Sequence, residues 1–368
     1  MSGRFLSIHG RSVAPVTDSR CTETVCGRAT FTEHTDQVPA YARLTTRLRE
    51  RIVAALSGEV RAVEKVANEV GVSWPTAMRQ LRQAEAARAE QVAARPGLVS
   101  SLGIDEHRFR TVRWYKDDRQ VWQRIEPWMT TFTNLATGQV IGVVDGRDSA
   151  AVKTWLKTRP RWWRHRVRVV AIDPSAAFRS AVRTWLPKAS VSVDHFHLVK
   201  LANDVVTGVR RRVSWERHHR RGRGSDLAWA HRLLLMRGYD TLSPRGREKL
   251  NTVLSQDDPT NQIGAAWGIK EQLRRVLAAV TVADSQRERA TFNRYVTLAA
   301  MPETTRLKKT IDTWWPAIAT FIRTRATNAK TEAANVTIKN IKRTGRGYRS
   351  HTNYQCRIMI YNAARMAA

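Results

Sequence analysis

The sequence predicts an α/β protein: a mixed sheet flanked by helices, preceded by a small helix-turn-helix domain and interrupted by a large all-helical insertion. Three observations predict it. Between residues 98 and 193, short apolar runs of strand length alternate with turn residues and amphipathic stretches. Before them, from Tyr41 to Ala94, apolar residues recur at helical spacing around a glycine turn; after them, residues 201–325 are helical in pattern almost throughout. At 368 residues the chain has room for two or three domains, each with its own core.

Residues 1–38 are polar and carry CTETVCG, in which Cys21 and Cys26 are spaced as half of a zinc site. A closed structural zinc takes four ligands and no second pair precedes these two, so zinc is doubtful. Residues 39–96 form the expected helix-turn-helix domain. Leu44, Leu48, Ile52 and Leu56 recur along the first helix, and Val63, Val66, Ala67 and Val70 line the second. Gly71 permits the turn, Ser73 caps the third helix and Pro75 sits in its first turn. That helix would carry Trp74, Thr76, Arg79, Gln80 and Arg82 into a DNA major groove. Any small helical hairpin could produce this spacing, and composition decides for DNA: Lys plus Arg total 63 against 32 for Asp plus Glu, a net charge of +31 that calls for a polyanionic partner. A hydrophobic content of 42% and 13 tryptophans exclude a disordered basic tail and fit a ribosomal-type protein poorly.

Arg95-Pro96-Gly97 reads as a linker. Beyond it, residues 97–204 hold strands over Leu98–Ile104, Trp128–Leu135, Gln139–Val144, Val167–Ile172 and Val191–Val193, with helices over Ser149–Lys157 and Ser175–Leu186. Three strands in a meander, then helix, strand, helix, strand, helix is the order of the ribonuclease-H-like fold. The helical block 205–325 is then an insertion, and residues 326–368 close the domain.

Asp105 and Asp173 each follow an apolar strand, and in such a sheet the first and fourth strands are neighbours, so the two carboxylates converge. Hard oxygen ligands without cysteine suit Mg²⁺ or Mn²⁺, and two such ions serve phosphoryl transfer. The best third acid is Glu332, on a helix that puts Glu332, Asn335 and Lys339 on one face and continues into a basic run, Lys339, Lys342, Arg343 and Arg346, able to follow a phosphate backbone. Asp204 is its rival. Glu106 points to the opposite face from Asp105, and the alternating meander aims Asp145 away from the first strand. In VSVDHFHLVK, the cluster Asp194, His195, His197 reads by itself as a surface or structural strand end.

The segments GIDEHRF, GRDSAAVKTWL, VVAIDPSAAFRSAVRTWLPKASVSVDHFHLVKLANDVVTGVRRRV and TNAKTEAANVTIKNIKRTGRGYRSHTNY, with RCTETVCGRATFTE and the helix-turn-helix, resemble in order and spacing a bacterial insertion-sequence transposase of the ISL-three type, in the DDE class. The resemblance runs from about Arg20 to Arg357. It implies Asp105, Asp173 and Glu332 as the metal-binding triad for two Mg²⁺ or Mn²⁺ ions. It also implies that Asp194 and His197 organise the strand end beside the active site, with Asp194 an alternative ligand. His195 stands where the family often has arginine, which gives it a DNA-contact or surface role at most. Such proteins usually begin with a complete Cys/His module, so an N-terminal truncation is expected here.

The implied function is a DNA transposase that binds the terminal inverted repeats of its element and target DNA, as a homo-oligomer, and cuts and rejoins strands. The alternatives are a DNA-binding protein or truncated remnant without catalysis, and a nuclease without strand transfer. Three cysteines and the lack of any apolar run of membrane-spanning length lead us to expect a cytoplasmic, nucleoid-associated protein with no membrane partner.

Overall fold

The computed structural model describes residues 42–367, together with 18–20, 22, 24, 25, 27, 30–32 and 36–38. In the N-terminal segment β1 (Asp18–Arg20) pairs antiparallel with β2 (Thr30–Thr32). Cys21 and Cys26, and with them the zinc expectation, lie outside the described residues.

The helix-turn-helix forms as its sequence dictates. Helix α1 (Thr46–Gly58) is capped by Thr45, whose hydroxyl accepts from Leu48 N at 3.2 Å. Helix α2 (Val63–Glu69) ends where Gly71 takes a φ of +65°, a value that favours glycine. Helix α3 (Trp74–Ala94) begins at Ser73, which accepts from Thr76 N at 3.3 Å. The apolar faces meet in a small core of Ile52, Leu56, Val66, Met78 and Leu81. Cys356 and Ile360, from the last helix of the chain, complete that core.

The central sheet holds β3 (Ser101–Arg108), β6 (Trp128–Asn134), β7 (Gln139–Asp145), β8 (Val169–Ile172) and β9 (Ser190–Val193), in the order β7-β6-β3-β8-β9. The meander β3, β6, β7 is antiparallel, whereas β8 and β9 run parallel to β3. This is the expected mixed sheet. Between β3 and β6 the structure adds a hairpin that the sequence pattern did not reveal, β4 (Arg113–Lys116) with β5 (Trp122–Ile125). Its residues are all exposed, so they carry no alternation of apolar and polar positions to read.

Helices α4 (Ser149–Lys157), α5 (Arg161–Arg166) and α6 (Ala176–Trp185) belong to the core on one face, where Leu102, Ile104 and Phe132 pack. Helix α7 (His195–His218) leads away from β9 into short helices α8 (Leu227–Ala230) and α9 (Arg232–Met236), then the long helices α10 (Pro244–Gln256), α11 (Gln262–Ala278), α12 (Val282–Ala299) and α13 (Pro302–Thr324). This insertion shares its core with the sheet: Leu273, Phe292, Ile311 and Phe321 join the cluster that holds Ile172 and Val193. Among the described residues no helix is long and apolar enough to cross a membrane.

The other face is covered by α14 (Ala329–Thr344) and α15 (His351–Ala367), through Ile338, Ile341, Tyr354 and Ile358 against Met129 and Val143. Helix α14 comes close to β3 because position 103 has no side chain. A Cβ there would overlap the Thr331 hydroxyl and lie 2.7 Å from Leu135 Cδ2 and 2.9 Å from Asn328 Oδ1. Gly103→Ala should therefore push α14 off the sheet and destabilise the protein by about 1–3 kcal/mol. Equilibrium denaturation checks this, and Thr331→Ala in the same chain should recover part of the loss.

Candidate active site

Register builds this site. Ile104 pairs with Ile172, and Ile172 with Val193, in two parallel ladders. The next residues along the chain are Asp105, Asp173 and Asp194, so three aspartates stand in one row, Asp105 within β3 and the other two just past the ends of β8 and β9. Alternation along β3 turns Gly103, Asp105 and His107 toward α14. Glu106 points the opposite way, as expected, and meets Arg147 Nη1 at 3.2 Å.

Asp105 is 9% exposed and held from two sides: Asn335 Nδ2 donates to its Oδ2 at 2.7 Å and Glu106 N to its Oδ1 at 2.7 Å. Asn335 is held in turn. Thr131 donates to Asn335 Oδ1 at 3.0 Å, and His107 Nδ1 lies 3.0 Å from the Thr131 hydroxyl. Since that hydroxyl proton is given to Asn335, the His107 Nδ1–H donates to Thr131, which fixes the tautomer. His107 stays neutral: burial, then the charges of Lys342 and Lys339, push its pKa down to about 3. His107 and Thr131 were not foreseen; the every-second-residue pattern of GIDEH and MTTFTN is the signal that could have found them.

Glu332 arrives from outside the sheet. After α13 the Ser192 hydroxyl donates to Ala326 O at 2.6 Å, and Asn328 Nδ2 donates to Ile104 O at 3.1 Å. These two bonds start α14 beside the row of aspartates. Burial raises the Glu332 pKa, and the nearby charges of Asp194 and Asp173 raise it further against the opposing His197. Burial and then the Asp173 charge also push Asp105 up to about 6. Asp194 caps α7 through Phe196 N at 3.0 Å and is fully buried; burial opposes its charge, yet His197 and that N–H hold its pKa below the usual carboxylate range.

His197 is the cation of this cluster. Its Nε2 lies 2.9 Å from Asp173 Oδ2 and its Nδ1 3.8 Å from Asp194 Oδ2. Hydrogen bonding to Asp173, then the influence of Asp194, lifts its pKa to about 10. Asp194 and His197, which the family resemblance set beside the active site although the stretch by itself reads as a surface strand end, lie within the acidic centre. His195 is at its margin, stacked on Phe321 at 4.8 Å between ring centroids and with Nδ1 3.5 Å from Asp194 Oδ1.

The rival acids separate cleanly. Asp204 is exposed and paired with Lys200 at 2.9 Å. Asp145 corrects the expected geometry: two reversals bring β7 back parallel to β3, so Asp145 lies at the same sheet edge as Asp105. What sets it apart is its place on the edge strand and its partner, His351 Nδ1 at 2.6 Å.

On α3, Trp74, Arg79 and Arg82 are exposed and Thr76 is half-buried with its hydroxyl 2.8 Å from Ser73 Oγ. Gln80 must be withdrawn as a DNA contact, because it is buried, one residue before the core residue Leu81. On and after α14, Lys339, Arg343 and Arg346 are exposed, whereas Lys342 Nζ is tied to Arg108 O at 2.6 Å.

Residues 102–358 match the family model described as Transposase, of the ISL3 type, and residues 33–84 match the helix-turn-helix domain of transposase family ISL3. The chain belongs to the ISL3 transposase family. A curated relative, the transposase for insertion sequence element IS1001 of Bordetella parapertussis, is 24% identical over 143 residues. That match covers 38% of this chain, and the chain spans a third of the relative's length. The Drosophila P element transposase strand transfer complex aligns at a TM-score of 0.38 and 10% identity over 72% of this chain and 76% of that one, a likeness too weak to carry any argument.

ISL3-type transposases of the DDE class generally use divalent metal ions, and the donor set here fits one. Asp173, Asp194 and His197 have ligand-type atoms within 4.8 Å of one another, His197 serving as a donor only once a cation has displaced its proton. Asp173 Oδ1 and Asp194 Oδ2 are buried without a hydrogen-bond partner. Four carboxylates facing one imidazolium leave an excess of negative charge that a cation would neutralise. In metal-free protein the stability His197 contributes is complete below its ordinary pKa of 6.5 and disappears as pH rises through about 10. The thermal midpoint of wild type should therefore fall across that interval more steeply than that of His197→Gln, measured in chelator by circular dichroism.

Proposed function

We propose that this ISL3-family chain is a DNA transposase that binds the terminal inverted repeats of an insertion sequence and cleaves and rejoins DNA, with two Mg²⁺ or Mn²⁺ ions held by Asp105, Asp173 and Glu332. The observation that carries the reading is the aspartate row across β3, β8 and β9, with Glu332 started beside it by Asn328. Divalent ions in such a site act as Lewis acids on the attacking and leaving oxygens. The domain division follows the same reading: 39–96 binds DNA, 97–204 and 326–368 form the catalytic unit, and 205–325 is the insertion.

The chain's own residues prepare that chemistry. Asn335 and the Glu106 N–H hold the Asp105 carboxylate in place, and its pKa of about 6 leaves it ionised at neutral pH. His197 keeps a proton at Nε2 against Asp173, so one carboxylate is matched before any substrate arrives. Asp194 organises the end of β9 and the start of α7 and supports the site through His197. In the first step water attacks a phosphodiester, the bond to the 3′ oxygen breaks, and that oxygen leaves as a 3′-hydroxyl. The 3′-hydroxyl then attacks a phosphodiester of target DNA and displaces its 3′ oxygen. Both steps exchange one P–O bond for another and need no covalent bond to the protein. Arg79, Arg82 and Trp74 would meet the duplex, with Lys339, Arg343 and Arg346 following phosphates. Pairing of two element ends calls for a homo-oligomer on DNA.

Asp105→Asn, Asp173→Asn and Glu332→Gln should each lower cleavage and joining of element-end DNA in Mg²⁺ at least about a thousandfold while DNA affinity stays within a few-fold; Asp204→Asn should keep wild-type rates. Gel assays of cut and joined products test this, and a wild type that binds the ends without cutting them sinks the catalytic reading. Replacing Arg79 and Arg82 by Ala should reduce the slope of log affinity against log salt by about 1.8, for two lost phosphate contacts. An unchanged slope in anisotropy titrations would remove α3 as the reader.

A further inference from the structure

The hairpin β4–β5 rises between β3 and β6, above the Arg108–Trp128 pair that closes those strands, at the sheet edge where Asp105 lies. Both of its strands are exposed on both faces. Register sets Trp114 opposite Arg124 and Lys116 opposite Trp122. Residues two apart on a strand share a face, so Trp114, Lys116, Trp122 and Arg124 form one face that contains no acid.

Trp114 is 59% and Trp122 60% exposed. Lys116 Nζ lies 5.5 Å from the centre of the Trp122 ring. Two acids of this segment already have partners within it. Asp117 closes the turn, its Oδ1 accepting from Arg119 N at 3.0 Å and Val121 N at 2.9 Å, and Glu126 pairs with Arg124 at the base. A lone two-stranded hairpin is marginal in water, and two bare indoles on it are a cost unless something covers them. An apolar protein patch would match the indoles but leave Lys116 uncompensated, Arg124 being paired with Glu126. Nucleic acid matches both, since bases stack on indoles and a phosphate meets the ammonium. Bases inside a duplex already have stacking partners, so the complement of this face is DNA whose bases are unpaired.

We propose that this face of the hairpin is a stacking platform for unpaired DNA next to the cleavage site, with Trp114 and Trp122 receiving bases and Lys116 receiving a phosphate. It rests on the transposase reading only for the choice of DNA as the polyanion.

The test uses the full chain in chelator, with a thymidine oligonucleotide carrying one 2-aminopurine, alone or annealed to its complement. Affinity comes from anisotropy and stacking from 2-aminopurine quenching. The ratio of single-strand to duplex affinity should fall at least about tenfold in Trp114→Ala/Trp122→Ala, with loss of quenching, and recover in Trp114→Phe/Trp122→Phe. The proposal is overturned by an unchanged ratio, by no quenching in wild type, or by a phenylalanine pair no better than alanine. A fall in oligomeric mass of the DNA-free alanine variant, with the ratio unchanged, would assign the face to contact between copies. Circular dichroism verifies that the variants fold. Failure to cleave element ends in Mg²⁺ would sink the transposase reading and leave this result standing.

Discussion

The parallel pairing of β3 with β8 and of β8 with β9 is the constraint on which the rest of the molecule depends. A one-residue slip in either ladder would turn the aspartates of one strand to the opposite face and break up the row. In register, the pairing concentrates negative charge at the sheet edge, and the neighbouring groups respond. Asp105 and Glu332 have raised pKa values, Asp194 is stabilised by the first turn of α7, and His197 remains protonated between Asp173 and Asp194. Such a concentration of strongly perturbed pKa values is usual at functional sites.

Helices α11 to α15 pack around this sheet. Because α11, α12 and α13 share a core with the sheet, the chain leaving α13 is already anchored when Ser192 and Asn328 start α14. Helix α15 ties the helix-turn-helix to the same body. Arg357, fully buried, donates from Nη2 to Glu59 O at 2.8 Å and Arg61 O at 3.3 Å, across the connection between α1 and α2. Cys356 and Ile360 fill the helix-turn-helix core from the same helix. The helix-turn-helix and the acidic centre are therefore held by one packed scaffold, and Arg95-Pro96-Gly97 is not their only connection.

Much of this was legible along the chain. The three helices around Gly71, the five sheet strands and the helices α4 and α6 follow from periodicity, capping residues and strand-sized apolar runs. The ends shifted where tertiary pairing prevailed: β3 continues through Asp105 to Arg108 because β6 offers it partners as far as Trp128. The β4–β5 hairpin stayed hidden because neither face is buried, so its residues carry no pattern. Gln80 was misassigned because helical spacing alone does not say which polar residue on α3 faces the core.

By itself the sequence determined the kinds of element, their order, the basic charge and the presence of acids at strand ends, because these depend on local periodicity and composition. Only the tertiary structure decided which acids meet. Asp194 and His197 join the centre, Asp204 turns to solvent, and Glu332 is carried in beside Gly103, because these outcomes rest on strand register and helix packing between residues far apart in the chain.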